Sequence, residues 1–153
     1  MDLESVKRYL EKSADENAPK IDAIPTQFIE PLVVQGLHVD LIEPGRVVCS
    51  MKVPQRLLNT GNFLHGGATG TLVDIVGSAA ICSLGVPFTG VSVEISVSYL
   101  DAAYAGEEIE IESKALHLGK AIAVVSVEFR KKKTGKIIAQ GRHTKYLAVS
   151  SKM

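Results

Sequence analysis

Hydrophobic residues change their spacing twice along this chain. Leu3, Val6, Tyr9 and Leu10 recur at helical intervals within an otherwise charged stretch from Met1 to Glu16, which predicts a first, surface helix. Residues 17–35 break the pattern, with Pro19, Pro25 and Pro31 set around Ile24, Phe28 and Ile29, and read as a loop with a short helical turn able to cap a pocket. Period two begins at Leu37, Val39 and Leu41 and resumes at Val47, Cys49, Met51 and Val53 across Glu43-Pro44-Gly45, the mark of a β-hairpin. From Gly66 to Gly85 the residues are small or apolar, with one charge, Asp74, and predict a long buried helix. Beyond Gly85 and Pro87 alternation returns in Val91 to Tyr99, Ile109 to Leu118, Ala121 to Phe129 and Lys136 to Val149, the last two joined by a turn at Thr134-Gly135. A helix too apolar to face water, followed by a block of alternating strands, predicts an α+β fold with an antiparallel sheet curled around the helix.

The long helix divides into two faces at 3.6 residues per turn. Leu72, Ile75, Val76, Ala79 and Ser83 are expected to pack on the sheet, and Gly70, Asp74, Gly77, Ser78 and Ile81 to lie roughly opposite. Small residues on the second face let another backbone approach, which places Asp74 at that contact or at a cavity beside it. A buried carboxylate without partners costs several kcal/mol, so Asp74 is expected to have a specific partner or a chemical task.

Composition narrows the picture. At 153 residues and 46% hydrophobic content, the chain suits one domain with a real core. Seventeen basic residues balance seventeen acidic ones, leaving no field to hold nucleic acid or an anionic membrane, so a charged ligand must be held locally. Cys49 and Cys82 have neither metal-ligand nor redox-motif spacing and read as reduced, packed thiols. No signal peptide and no membrane span are expected, since Asp74 and many Gly, Ala, Ser and Thr residues weaken the long helix as a spanning segment. The tripeptide Ser151-Lys152-Met153 approximates a peroxisomal address, which makes the expected location peroxisomal or cytoplasmic.

Gly66 and Gly67 open the long helix, where unpaired backbone N–H groups and the positive dipole end can cradle a carbonyl oxygen gaining charge. Asp74 lies eight residues further on, about 12 Å along the axis at ~1.5 Å per residue, too far to share one carbonyl with Gly66 inside one subunit. A shared site must therefore lie between two chains, as a two-fold dimer allows.

Asn59, Leu64-His65-Gly66-Gly67, Thr71-Leu72-Val73-Asp74, Gly90-Val91-Ser92-Val93 and the closing run Ile138 to Lys145 together resemble the hotdog-fold acyl-CoA thioesterases, of the phenylacetate-degradation-like and small mammalian-type branch. The resemblance covers roughly residues 33–148. It implies a hotdog domain over 33–150; the helix and loop over 1–32 lie outside the resemblance and read as a lid on composition alone, and residues 151–153 form the tail. It also implies homodimers with a continuous sheet, assembling to a homotetramer. In that pattern Asp74 activates water or attacks the thioester, the Gly66 N–H binds its carbonyl, His65 and Asn59 orient water or carbonyl, and Ser92 assists from beside Asp74. Asn59, His65 and Gly66 would come from one subunit, Asp74 and Ser92 from its neighbour.

Coenzyme A brings phosphates, for which Lys120, Arg130, Arg142 and Lys145 are candidate contacts, with Gly67 as a further backbone contact. His38, His117 and His143 sit on strands without ligand spacing, so no metal is assigned and no cofactor is expected. The absence of a Gly-x-Ser-x-Gly elbow argues against a serine nucleophile. The expected function is hydrolysis of a fatty or aromatic acyl-CoA. The alternatives are a hotdog hydratase or dehydratase acting on acyl thioesters, and a non-enzymatic acyl-CoA binding protein.

Overall fold

A computed structural model describes residues 2–13, 26–86 and 90–147. Three helices, α1 (Leu3–Ser13), α2 (Ile29–Val34) and α3 (Gly66–Cys82), accompany six strands: β1 (His38–Glu43), β2 (Arg46–Lys52), β3 (Val91–Tyr99), β4 (Glu108–Leu118), β5 (Ile122–Lys131) and β6 (Ile137–Tyr146). The strands form one antiparallel sheet in the order β1-β2-β4-β5-β6-β3, so the chain crosses from β2 through α3 to the far edge before filling the centre. The α+β expectation holds, strand by strand. Pro19, Ile24, Pro25, Pro87, the end of the last predicted strand and the tripeptide Ser151-Lys152-Met153 lie outside the described residues.

Alternation explains why the sheet covers α3. One face of β4 and β5 presents Ile109, Ile111, Val125, Val127 and Phe129, each no more than 1% exposed, to Leu72, Val73 and Val76 of the helix. The buried Ser113 hydroxyl ties the two layers by donating to the Val76 carbonyl at 2.9 Å. The opposite face is polar and carries a charge network, in which Arg130 pairs with Glu110, Glu112 and Glu128 while Arg46 pairs with Glu112 and Glu43. Burial pushes the Glu112 carboxyl up, but hydrogen bonds from Arg46 and Arg130 outweigh it and hold the group below its ordinary value.

The helix is rotated from the expected orientation. Leu72 and Val76 face the sheet as predicted, but Val73, Gly77, Ala80 and Ile81 join them, whereas Ile75 and Ala79 are only half-buried. A helix with so few polar residues offers a wheel little contrast, and close packing decides instead. A Cβ at Gly77 would meet Val125 Cγ2 at 2.8 Å, and one at Gly141 on β6 would meet Val73 Cγ2 at 2.7 Å. These two glycines let the layers approach.

Two apolar features are exposed among the described residues. The α1 stripe is exposed, with Leu3 at 88% and Tyr9 and Leu10 at 61%. Edge strand β3 exposes Val91, Val93, Ile95 and Tyr99 together with its free ladder groups. Among the described residues no helix is long and apolar enough to cross a membrane.

Gly77→Val should test the close approach. Leaving glycine favours the helix by less than about 1 kcal/mol, whereas overpacking costs about 1–3 kcal/mol. Urea denaturation should show a net loss of stability, and a variant as stable as the parent would mean the layers can part there freely.

Candidate active site

His65 closes the loop before α3 and starts the helix. Its ring Nδ1 accepts from the Gly67 N–H at 2.8 Å, and its carbonyl accepts from Ala68 and Thr69 at 2.9 and 3.2 Å. Of the donors at this helix start, the Gly66 N–H alone keeps no partner among the described residues. The expectation of a Gly66–Gly67 pair thus narrows to Gly66, because the histidine ring consumes the second donor. Tyr99 braces the same turn by donating its hydroxyl to the Gly66 carbonyl at 2.7 Å. Asn59 shapes the preceding loop: its Oδ1 accepts from the Gly61 and Phe63 N–H groups at 2.9 and 3.2 Å. An apolar cleft of about 490 Å³ opens beside Gly66, lined by Phe63, Leu64, Thr69, Tyr99 and Ala103 among others.

Further along α3, Asp74 is not the buried acid the sequence predicts. Its side chain is 44% exposed, on the half-open side of the helix left by the rotation. Its inner oxygen is hemmed in from behind. Oδ1 accepts a long bond from Ser78 Oγ at 3.5 Å and lies 3.7 Å from His143 Nδ1 and 3.9 Å from Lys145 Nζ. The other oxygen, Oδ2, has no partner among the described residues.

The group behind Asp74 comes from β6, whose inward positions run Ala139, Gly141, His143, Lys145. His143 is fully buried, with Nε2 2.7 Å from Ser92 Oγ on β3, and its Nδ1 finds no hydrogen-bond partner nearer than the loose approach to Asp74. Burial holds the ring below the ordinary histidine value, with Asp74 pulling it up and Lys145 pushing it further down. Lys145 donates to Ser78 Oγ at 2.9 Å. Its ammonium is likewise held below the ordinary lysine value by burial, against the opposing pull of Asp74 and Cys82.

The structure thus brings Asp74, Ser92 and Lys145 together, and adds Ser78 and His143, which sequence reasoning passed over. A signal for them existed: His143 and Lys145 occupy the inward parity of a strand whose other inward residues are Ala139 and Gly141. Lys145 departs from its expected role, since a side chain 5% exposed and aimed at Asp74 cannot lie on a nucleotide phosphate in the solvent. Arg130 is spoken for by three carboxylates. Arg142 is exposed on the outer face between Ser96 and Ser126, across the sheet from Asp74. Lys120 is exposed in the β4–β5 turn. Cys82 is exposed rather than packed, whereas burial pushes the Cys49 thiol up to about 11.

This arrangement has counterparts. Residues 61–138 match the family model described as the thioesterase superfamily. Human acyl-coenzyme A thioesterase 13 is 45% identical over 104 residues, covering 68% of this chain and 74% of that protein. The crystal structure of zebrafish thioesterase superfamily member 2 overlays with a TM-score of 0.73 at 39% identity, over 97% of this chain and 99% of its own. A hypothetical thioesterase protein from Streptococcus pneumoniae, solved with coenzyme A, overlays with a TM-score of 0.70 at 25% identity, over 74% of this chain and 87% of its own. The sheet order, the enclosed helix and these matches agree that the chain belongs to the thioesterase superfamily and has the hotdog fold.

Proposed function

We propose that this thioester hydrolase cleaves a fatty or aromatic acyl-CoA to the free acid and coenzyme A, as a homodimer whose sites each draw on both chains and whose dimers pair into a tetramer. The observation that carries the reading is the Asp74 carboxylate, backed by buried His143 and Lys145 at one oxygen and open at the other. The names of the human and streptococcal relatives support the substrate class.

Chemistry at this site starts with the thioester carbonyl. Its oxygen accepts from the Gly66 N–H, and negative charge developing there is met by a donor already oriented by the helix. Asp74 Oδ2 of the neighbouring chain then draws a proton from water as the water oxygen bonds to the carbonyl carbon. Collapse of the tetrahedral intermediate breaks the C–S bond, and the proton held by Asp74 passes to the departing thiolate. In the alternative route Oδ2 itself adds to the carbonyl, the C–S bond breaks as the coenzyme A thiolate leaves, and water opens the resulting anhydride at the aspartyl carbon, its proton passing to the thiolate. Single-turnover hydrolysis in ¹⁸O-water separates the two, because only direct addition leaves label in Asp74. Ser92, held by His143, is placed to order the water, and the apolar cleft beside Gly66 to take the acyl group. A hydratase would use the loop histidine as acid or base, a role poorly served by a ring whose Nδ1 is committed to Gly67.

The cross-chain arrangement follows from α3 itself. Gly66 and Asp74 lie on one continuous helix, about 12 Å apart along its axis. The exposed apolar edge of β3, which carries Ser92, is the surface on which a second chain would continue the sheet.

Asp74→Asn should lose nearly all thiol release while staying folded, and retained turnover would sink the assignment. Gly66→Pro deletes the one free donor at a helix position where proline is tolerated, and should cost about 10²–10³-fold in kcat. Refolding these two inactive variants together should restore about a quarter of wild-type activity, since half of the dimers would hold one intact site. No recovery would mean each site lies within one chain.

His143 should titrate below the ordinary 6.5 by NMR, and Asp74→Asn should lower it further by removing the carboxylate that favours the imidazolium. An unfolded chain binds the proton that the buried ring refuses. This contribution to stability is therefore complete above about pH 6.5 and is lost as pH falls through the folded value. An upward shift in Asp74→Asn would mean the carboxylate does not act on the ring.

A further inference from the structure

Lysine is an expensive choice at residue 145. The side chain is 5% exposed, in register with Ser92 on β3 and Ala123 on β5, neither of which carries a charge. An apolar side chain of similar length would pack there without desolvating an ammonium, and buried ion pairs are as a rule no more stable than such replacements. Fold stability therefore does not account for the charge. Its surroundings do: across the gap α3 presents Asp74, Ser78 and Cys82 one turn apart, and the neighbouring inward residue of β6 is His143. The ammonium donates to Ser78 Oγ at 2.9 Å, that hydroxyl donates to Asp74 Oδ1 at 3.5 Å, and Nζ lies 3.9 Å from the same oxygen.

We propose that Lys145 is a positioning residue for the reaction at Asp74, its ammonium holding Oδ1 directly and through Ser78 so that Oδ2 is turned to the substrate. The proposal rests on Asp74 carrying the chemistry. Contacts from Ser78 and Lys145 draw on the same oxygen, so the carboxylate has one inner and one outer atom rather than two equivalent ones. A carboxylate free to rotate would present its reactive oxygen only part of the time, and misplacement of a reacting group lowers turnover more than binding. Because Lys145 sits behind Asp74, away from solvent, its effect should fall on kcat and leave the affinity for the CoA ester in place.

The test compares Lys145→Met and Lys145→Arg with the parent in steady-state hydrolysis of an acyl-CoA series, with thermal unfolding alongside. Lys145→Met should lose about ten-fold or more in kcat with KM changed by less than about two-fold, while its unfolding midpoint is unchanged or higher. A structural lysine would lower midpoint and activity together. Burial holds the Lys145 ammonium below the ordinary lysine value, so the parent should lose kcat as pH rises through that lowered range, after subtraction of spontaneous hydrolysis. Lys145→Arg keeps a charge that does not titrate there, and should retain activity with its alkaline limb moved to higher pH. Cys82→Ser, which removes the neighbouring thiol that pulls the ammonium up, should keep an alkaline limb, moved if at all to lower pH.

Full kcat in Lys145→Met would overturn the proposal, as would a rise in KM alone, which would restore the phosphate-contact role. If Lys145→Met fails to fold, the limb decides, and coincident alkaline limbs for the parent and Lys145→Arg overturn it. The underlying reading fails separately: an active Asp74→Asn refutes the role of Asp74, whereas an inactive Asp74→Asn beside a fully active Lys145→Met refutes only that of Lys145.

Discussion

The close approach of α3 to β5 and β6 is the constraint on which the rest of this molecule depends. Gly77 and Gly141 carry no side chain where one would strike Val125 or Val73, and those contacts sit to either side of Asp74 in the seam between helix and sheet. Spacing that elsewhere would be a matter of packing density here sets an electrostatic distance. His143 and Lys145 come from the strand and Asp74 from the helix, and they meet only because the layers are this near. A helix held a methyl group further out would part the buried ammonium from Asp74 and weaken what offsets its desolvation. The hydrophobic core and the candidate site are thus one design problem, solved by removing two side chains.

That seam also gives Asp74 its asymmetry. A carboxylate exposed to water on all sides has two equivalent oxygens and rotates freely. This one has an inner oxygen facing a buried imidazole, a hydroxyl and a buried ammonium, and an outer oxygen facing none of them. The electrostatics are mutual: the carboxylate pulls both His143 and Lys145 toward their charged forms while burial pulls both the other way. Ser92 extends the arrangement to the edge strand through its 2.7 Å contact with His143.

Much of this was legible in the sequence, and for identifiable reasons. Period-two alternation marks β4, β5 and β6 because one face of the sheet is buried there and the other is wet, and the turns at Glu43-Pro44-Gly45 and Thr134-Gly135 punctuate the strands. The orientation of α3 was less legible. With Asp74 as its one charge, nearly any face of the helix reads as a core face, and the choice falls to glycines whose importance shows only when the opposing strand is known. His143 was passed over, and Lys145 was assigned to a phosphate, because a strand residue was weighed by its type rather than by its parity. A histidine suggests a ligand and a lysine suggests solvent until the alternation with Ala139 and Gly141 is seen to point both inward. Proximity in sequence groups Lys120, Arg130 and Arg142, which the sheet distributes between a turn, an occupied network and the outer face.

One chain holds both halves of the proposed site but not in one place. The free Gly66 N–H and the open oxygen of Asp74 are separated by two turns of a rigid helix, and no movement of side chains closes that gap. The proposed two-fold axis beside α3 would close it, because reversing the helix would bring the start of one copy beside the middle of the other. The same operation would cover the apolar residues of β3, an edge strand whose exposure is otherwise a standing liability to aggregation. Two independent features, the divided site proposed above and an apolar edge exposed among the described residues, would therefore be satisfied by a single symmetric contact.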